Sequence, residues 1–75
     1  MPDKLHISDF YIIQNRTMFT WRMWLSEIRP RVCLEPGSKH YVSAQAAESA
    51  ARRVATKLML DIRCEPRLLL EVANG

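Results

Sequence analysis

Residues 43–60 read SAQAAESAARRVATKLML, and this stretch decides the fold. Ala44, Ala47, Ala50, Ala51, Val54, Ala55 and Leu58 recur at helical spacing along one stripe, while Gln45, Glu48, Ser49, Arg52, Arg53 and Thr56 occupy the other side. The pattern predicts one amphipathic helix from Ser43 to Leu60. Ser43 suits the N-cap, because its hydroxyl can accept a bond from a first-turn backbone N–H. The reciprocal capping box is missing, since the residue three along is Ala46, but Val42 and Ala47 are spaced for a weak hydrophobic staple. Glu48 and Arg52, four apart with the acid first, add about 0.3 kcal/mol. Lys57 complements the negative end of the helix dipole.

A stripe made mostly of alanine lets a helix approach its neighbour closely, so large side chains must stand opposite. They are found upstream. Phe19, Trp21, Met23 and Leu25 alternate with Thr20, Arg22, Trp24 and Ser26, the period of a strand with one buried face. Trp24 interrupts the polar set. Phe10, Tyr11, Ile12 and Ile13 form an aromatic and β-branched run that predicts a preceding strand. The short polar link through Asn15 predicts a hairpin between the two. Val32 to Leu34 reads as a third short strand, beyond the interruption at Pro30. Pro36 and Gly37 mark a turn, with Lys39 to Val42 as a fourth short strand.

After Leu60 the pattern is open. Pro66 rules out an unbroken helix, and Leu68, Leu69, Leu70 and Val72 fit either a short helix opened by Pro66 or an alternating strand. Leucine's propensity favours the helix. Three consecutive leucines in so small a protein require covering, and a second subunit is one way to cover them. The fold class expected is therefore α+β. A small antiparallel sheet of three to four strands, in the order β-β-β-(β)-α, packs on one long helix, with a short C-terminal helix or strand. One compact domain is expected over residues 5–73.

Through its strand order, Trp21 and the alanine-rich helix, the stretch Phe10 to Leu58 resembles the small three-stranded sheet plus helix of integrase arm-binding and plant AP2-type DNA-binding domains. That resemblance carries no functional residue onto this chain. Helix-turn-helix spacing and zinc-finger ligands are both absent.

The 75 residues leave room for a shallow core only. The composition, 48% hydrophobic and 25% charged, is that of a folded domain and not of a disordered tail. The formal charge of +3 is uneven: residues 16–57 carry eight basic and three acidic side chains. Such a middle attracts phosphates or an acidic protein. No leader pattern and no apolar run of roughly 20 residues is present, so a cytoplasmic location without membrane contact is expected. Cys33 and Cys64 lie far apart outside any metal-binding spacing and are expected to be reduced thiols.

The residues give little chemistry. His6 and His40 are the only imidazoles, and neither lies in a pattern that positions a nucleophile. Asp9, Glu27, Glu35, Asp61 and Glu65 show no paired arrangement. The two glycines, Gly37 and Gly75, form no phosphate-binding loop. The expectation is a protein that is not an enzyme and needs no small-molecule cofactor or metal. Two partner classes follow. Trp24 with Leu68, Leu69 and Leu70 points to self-association or a protein partner. Arg22, Trp24, Arg29 and Arg31 on the open sheet face point, as the alternative, to nucleic acid through stacking and phosphate contacts. Arg52, Arg53 and Lys57 read as a solvated helix side.

Overall fold

The computed structural model describes residues 5–26 and 30–71. Strands β1 (His6–Asn15) and β2 (Met18–Leu25) form an antiparallel hairpin, followed by β3 (Cys33–Leu34), helix α1 (Ala44–Lys57), β4 (Asp61–Ile62) and β5 (Arg67–Leu70). The sheet runs β3-β2-β1, with β4 and β5 both pairing with the far side of β1. The architecture is α+β, but the sheet is mixed. β4 and β5 run parallel to β1, where an all-antiparallel sheet of three to four strands was expected. The reason is the helix: it carries the chain across the sheet face, and a strand that follows such a crossover can lie parallel to the first. A five-stranded mixed sheet also departs from the three-stranded layout of the DNA-binding domains named above.

The hairpin closes through Arg16 and Thr17, with Asn15 opposite Met18 and Arg16 at a φ of +62°. Its buried face carries Phe10 and Ile12 from β1 against Trp21, Met23 and Leu25 from β2. Ile7 joins them because the register slips at Ser8, pairing Ile7 with Leu25 and Asp9 with Trp24. This bulge returns Ile7 to the face that strict alternation would deny it. Ala47, Ala50, Ala51 and Ala55 of α1 cover this face. The Trp21 indole N–H is buried there without a hydrogen-bond partner among the described residues. Such a group costs about 1–3 kcal/mol, which burial of the ring has to offset.

The helix starts as expected, without the staple, and stops early. Ser43 is the N-cap, and its Oγ accepts from the Ala46 N–H at 3.0 Å. Val42 is 79% exposed, so it makes no staple. At the other end the regular helix stops at Lys57 and not at Leu60. The Met59 N–H donates to Thr56 O at 3.0 Å and the Leu60 N–H to Ala55 O at 2.8 Å. These paired bonds form a Schellman cap, with Met59 at the position that glycine usually fills and a φ of +60°. No glycine announces this stop in the sequence. Leu60 is thereby turned back onto the core and leads into β4.

Two other segments also depart from expectation. Residues 39–42 contribute a single bridge, Tyr41 to Phe19, and not a strand. The C-terminal leucines form a strand, not a helix, because β1 offers an unpaired edge alongside. Met59→Gly should stabilise the protein by about 0.5–1 kcal/mol by relieving the left-handed residue, read as a higher urea midpoint with an unchanged slope.

Candidate interaction surfaces

Strand parity sorts the sheet into two faces. One is covered by α1. The other carries Asp9, Tyr11, Ile13, Thr20, Arg22, Trp24 and Cys33, as the pairing of β1 with β2 and of Trp24 with Cys33 requires. Trp24 does lie on this open face, half-buried, with the Arg31 guanidinium 5.2 Å from its ring centroid. Arg31 also pairs with the Asp9 carboxylate and donates to Ser8 Oγ at 3.2 Å. Arg22 donates through Nε to Glu35 Oε2 at 3.3 Å. Arg22 and Arg31, two of the three arginines of the sequence reading, thus reach the open face, each beside a carboxylate. Arg29 lies outside the described residues.

Three cations without an ion pair among the described residues gather elsewhere. Lys39, Tyr41, Ala50, Arg53, Val54 and Lys57 line a shallow groove between α1 and the chain that leads into it. The Lys39 Nζ sits 6.0 Å from the Tyr41 ring centroid. Among the described residues Lys39, Arg53 and Lys57 make no ion pair, whereas Arg52 is taken by Glu48 at 2.8 Å and also stands over Phe10. The sequence hinted at this groove only through Arg53 and Lys57; Lys39 joins them because Tyr41 is bridged to β2.

The C-terminal leucines occupy a different region. β5 lies across β1 from β2, and Leu69 is level with Ile13 while Trp24 is level with Asp9. Two strand spacings and four residues separate them, on the order of 15 Å. The structure therefore does not join Trp24 and the leucines into one patch. Leu68, Leu69 and Leu70 are 62%, 43% and 69% exposed. Parity puts Leu68 and Leu70 on the helix side of the sheet, beside Ile12 and Gln14, and Arg67, Leu69 and Glu71 on the open side. The helix covers β1 and β2 and leaves β5 bare.

Among the described residues the candidate nucleophiles and bases stand as follows. Ser26 Oγ lies 3.1 Å and 3.0 Å from the two ring nitrogens of His6, a pair that sequence spacing could not show. Near-equal distances put the hydroxyl across the ring and not along either lone pair, so it is not aligned with a base. Cys33 and His40 have separate partners: the thiol faces Leu34 O and Glu35, and the imidazole faces Ser38 O. No group of three metal-ligating side chains occurs among the described residues. No helix among them is long and apolar enough to cross a membrane. Compared with known protein families, curated proteins and solved structures, the chain matches none.

Cys33 and Cys64 are free, half-buried thiols. Burial raises the pKa of each, helped by Glu35 at Cys33 and by Asp9 at Cys64. A raised pKa lowers the thiolate fraction near neutral pH. Iodoacetamide should therefore label both more slowly than an exposed cysteine at neutral pH, with rates still climbing above about pH 8.5. Glu35→Gln should speed Cys33 selectively, as peptide mapping would show.

Proposed function

We propose that this protein is a non-catalytic interaction module that binds another protein chain along the free edge of β5. The observation that carries this reading is the exposure of that whole strand: Arg67, Leu68, Leu69 and Leu70 pair with β1 on one side only, among the described residues. An apolar edge strand with unpaired backbone groups is a template for another strand. Backbone hydrogen bonds supply the adhesion, and the leucines supply apolar area at roughly 25 cal/mol per Å² removed from water. Both leucines on the helix side are exposed, so charging them leaves the monomer's core intact. In sedimentation velocity from micromolar to millimolar concentration, the natural chain should show a rising weight-average coefficient. The Leu68→Lys/Leu70→Lys double variant should remain monomeric with an unchanged circular dichroism spectrum. Equal, concentration-independent sedimentation of the two would remove self-association along this edge.

A second reading, nucleic-acid binding, is favoured by the groove of Lys39, Arg53 and Lys57, whose charges no carboxylate neutralises among the described residues. Tyr41 between them offers a ring to a base or sugar. Fluorescence anisotropy with mixed short DNA and RNA at low and high salt tests this reading. Replacing all three cations by alanine should lower the slope of log K against log salt by about 3 for duplex DNA. Should Arg22→Ala/Arg31→Ala reduce binding instead, the open sheet face is the contact. Binding that is absent at low salt excludes both.

A further inference from the structure

Building on the proposed β5 contact, we infer that the chain bound there is a second copy of this protein, joined antiparallel in a single register centred on Leu69. The segment from Arg67 to Glu71 reads RLLLE, which is complementary to itself when reversed. With Leu69 opposite Leu69 of the second copy, each Leu68 faces a Leu70, and each Arg67 faces a Glu71. A shift by one residue would set Arg67 opposite Leu70 and Glu71 opposite Pro66, or Glu71 opposite Leu68 and Arg67 opposite Val72, and would lose both charge pairs.

The backbone selects the same arrangement. The Glu71 N–H donates inward to Gln14 O at 2.8 Å. In a parallel ladder alternate residues bond to the same neighbour, so Leu69 and Arg67 also face β1, and the N–H and C=O groups of Leu68 and Leu70 point outward. An antiparallel partner in the Leu69-centred register places Leu68 and the partner copy's Leu70 at hydrogen-bonded sites, and likewise Leu70 and the copy's Leu68. Four outward groups on each copy are then satisfied. Leu69 and its symmetry mate fall at a non-hydrogen-bonded site, as do Arg67 and Glu71, where cross-strand side chains approach most closely. Pro66 has no N–H to offer at the next outward position, so the ladder ends there on both sides.

The side chains fit this two-fold arrangement. Its axis is perpendicular to the sheet, so each face of one copy continues into the same face of the other. Leu68 and Leu70 of both copies meet on the helix side as a cluster of four leucines between the two α1 helices. On the open side two Arg67–Glu71 pairs flank the central Leu69 pair. Within one chain Arg67 makes no ion pair among the described residues, and Glu71 accepts only from Asn15 Nδ2, at 3.2 Å.

Cross-linking reads the register directly. In a Cys33→Ser/Cys64→Ser background, Leu69→Cys should form a disulfide-linked dimer under oxidised glutathione. Two thiols on two chains give up two protons and two electrons, and each glutathione disulfide consumed leaves as two glutathione thiols. The two α-carbons at such a site lie about 4.5 Å apart, within disulfide range. Leu68→Cys and Leu70→Cys should each stay uncrosslinked alone and should link when mixed. Charge provides a second reading without cysteine: Arg67→Glu and Glu71→Arg each weaken the dimer about tenfold, and the two together restore it to within about threefold. A dimer that Leu68→Lys/Leu70→Lys abolishes, but that Leu69→Cys does not link and the charge swap does not rescue, overturns this register alone. A chain that is monomeric throughout overturns the β5 contact with it.

Discussion

The contact of the alanine stripe of α1 with the buried face of the β1-β2 hairpin is the interaction on which the rest of the structure depends. Ala47 and Ala51 are wholly buried, as are Phe10 and Met23 opposite them. Small residues on the helix and large ones on the sheet fill the interface together, and a close-packed core tolerates neither a gap nor an added side chain there. The bulge at Ser8 serves the same contact by returning Ile7 to it. The Schellman cap at Met59 serves it by folding Leu60 back onto the core.

That contact also decides what is left uncovered. A helix of 14 residues shields one part of a five-stranded sheet. It is spent on β1 and β2, whose residues are largest, and β5 is added at the margin with nothing above it. The exposed leucines follow from the allocation of one helix among five strands. Edge strands are ordinarily blunted by charged side chains, proline or a bulge; on this edge the charges stand only at the two ends of the open side, and the helix side is apolar. Here Pro66 blunts only the entry to the strand.

Charge is allocated as unevenly as apolar surface. The open sheet face pairs Arg22 with Glu35 and Arg31 with Asp9, which secures Trp24 beneath a guanidinium. Exposed pairs of this kind contribute little stability, about 0–1 kcal/mol, but they lower that face's attraction for phosphate. The flank of α1 toward Tyr41 has cations and no acid among the described residues. Three of the cations that make up the basic surplus of residues 16–57, Lys39, Arg53 and Lys57, are thus gathered along one side of the helix.

The sequence by itself determined the hairpin and the start and covered face of the helix. Alternation placed Phe19, Trp21, Met23 and Leu25 on one face, the 3.6-residue period assembled the alanine stripe, and Ser43 marked the helix start, because each signal lies within a few residues of chain. The concentration of apolar side chains at Leu68, Leu69 and Leu70 was also legible, although the structure leaves all three exposed. Only the tertiary structure decided that these leucines are a strand, since leucine's own preference is helical and the vacant edge of β1 overrides it across more than fifty residues of chain. The same long-range pairing turned Arg67 and Glu71 to one face and Leu68 and Leu70 to the other. It also parted Trp24 from the leucines. Local propensity acts over one or two turns, whereas which edge is free and which side chain finds a counter-charge depend on where distant segments come to rest.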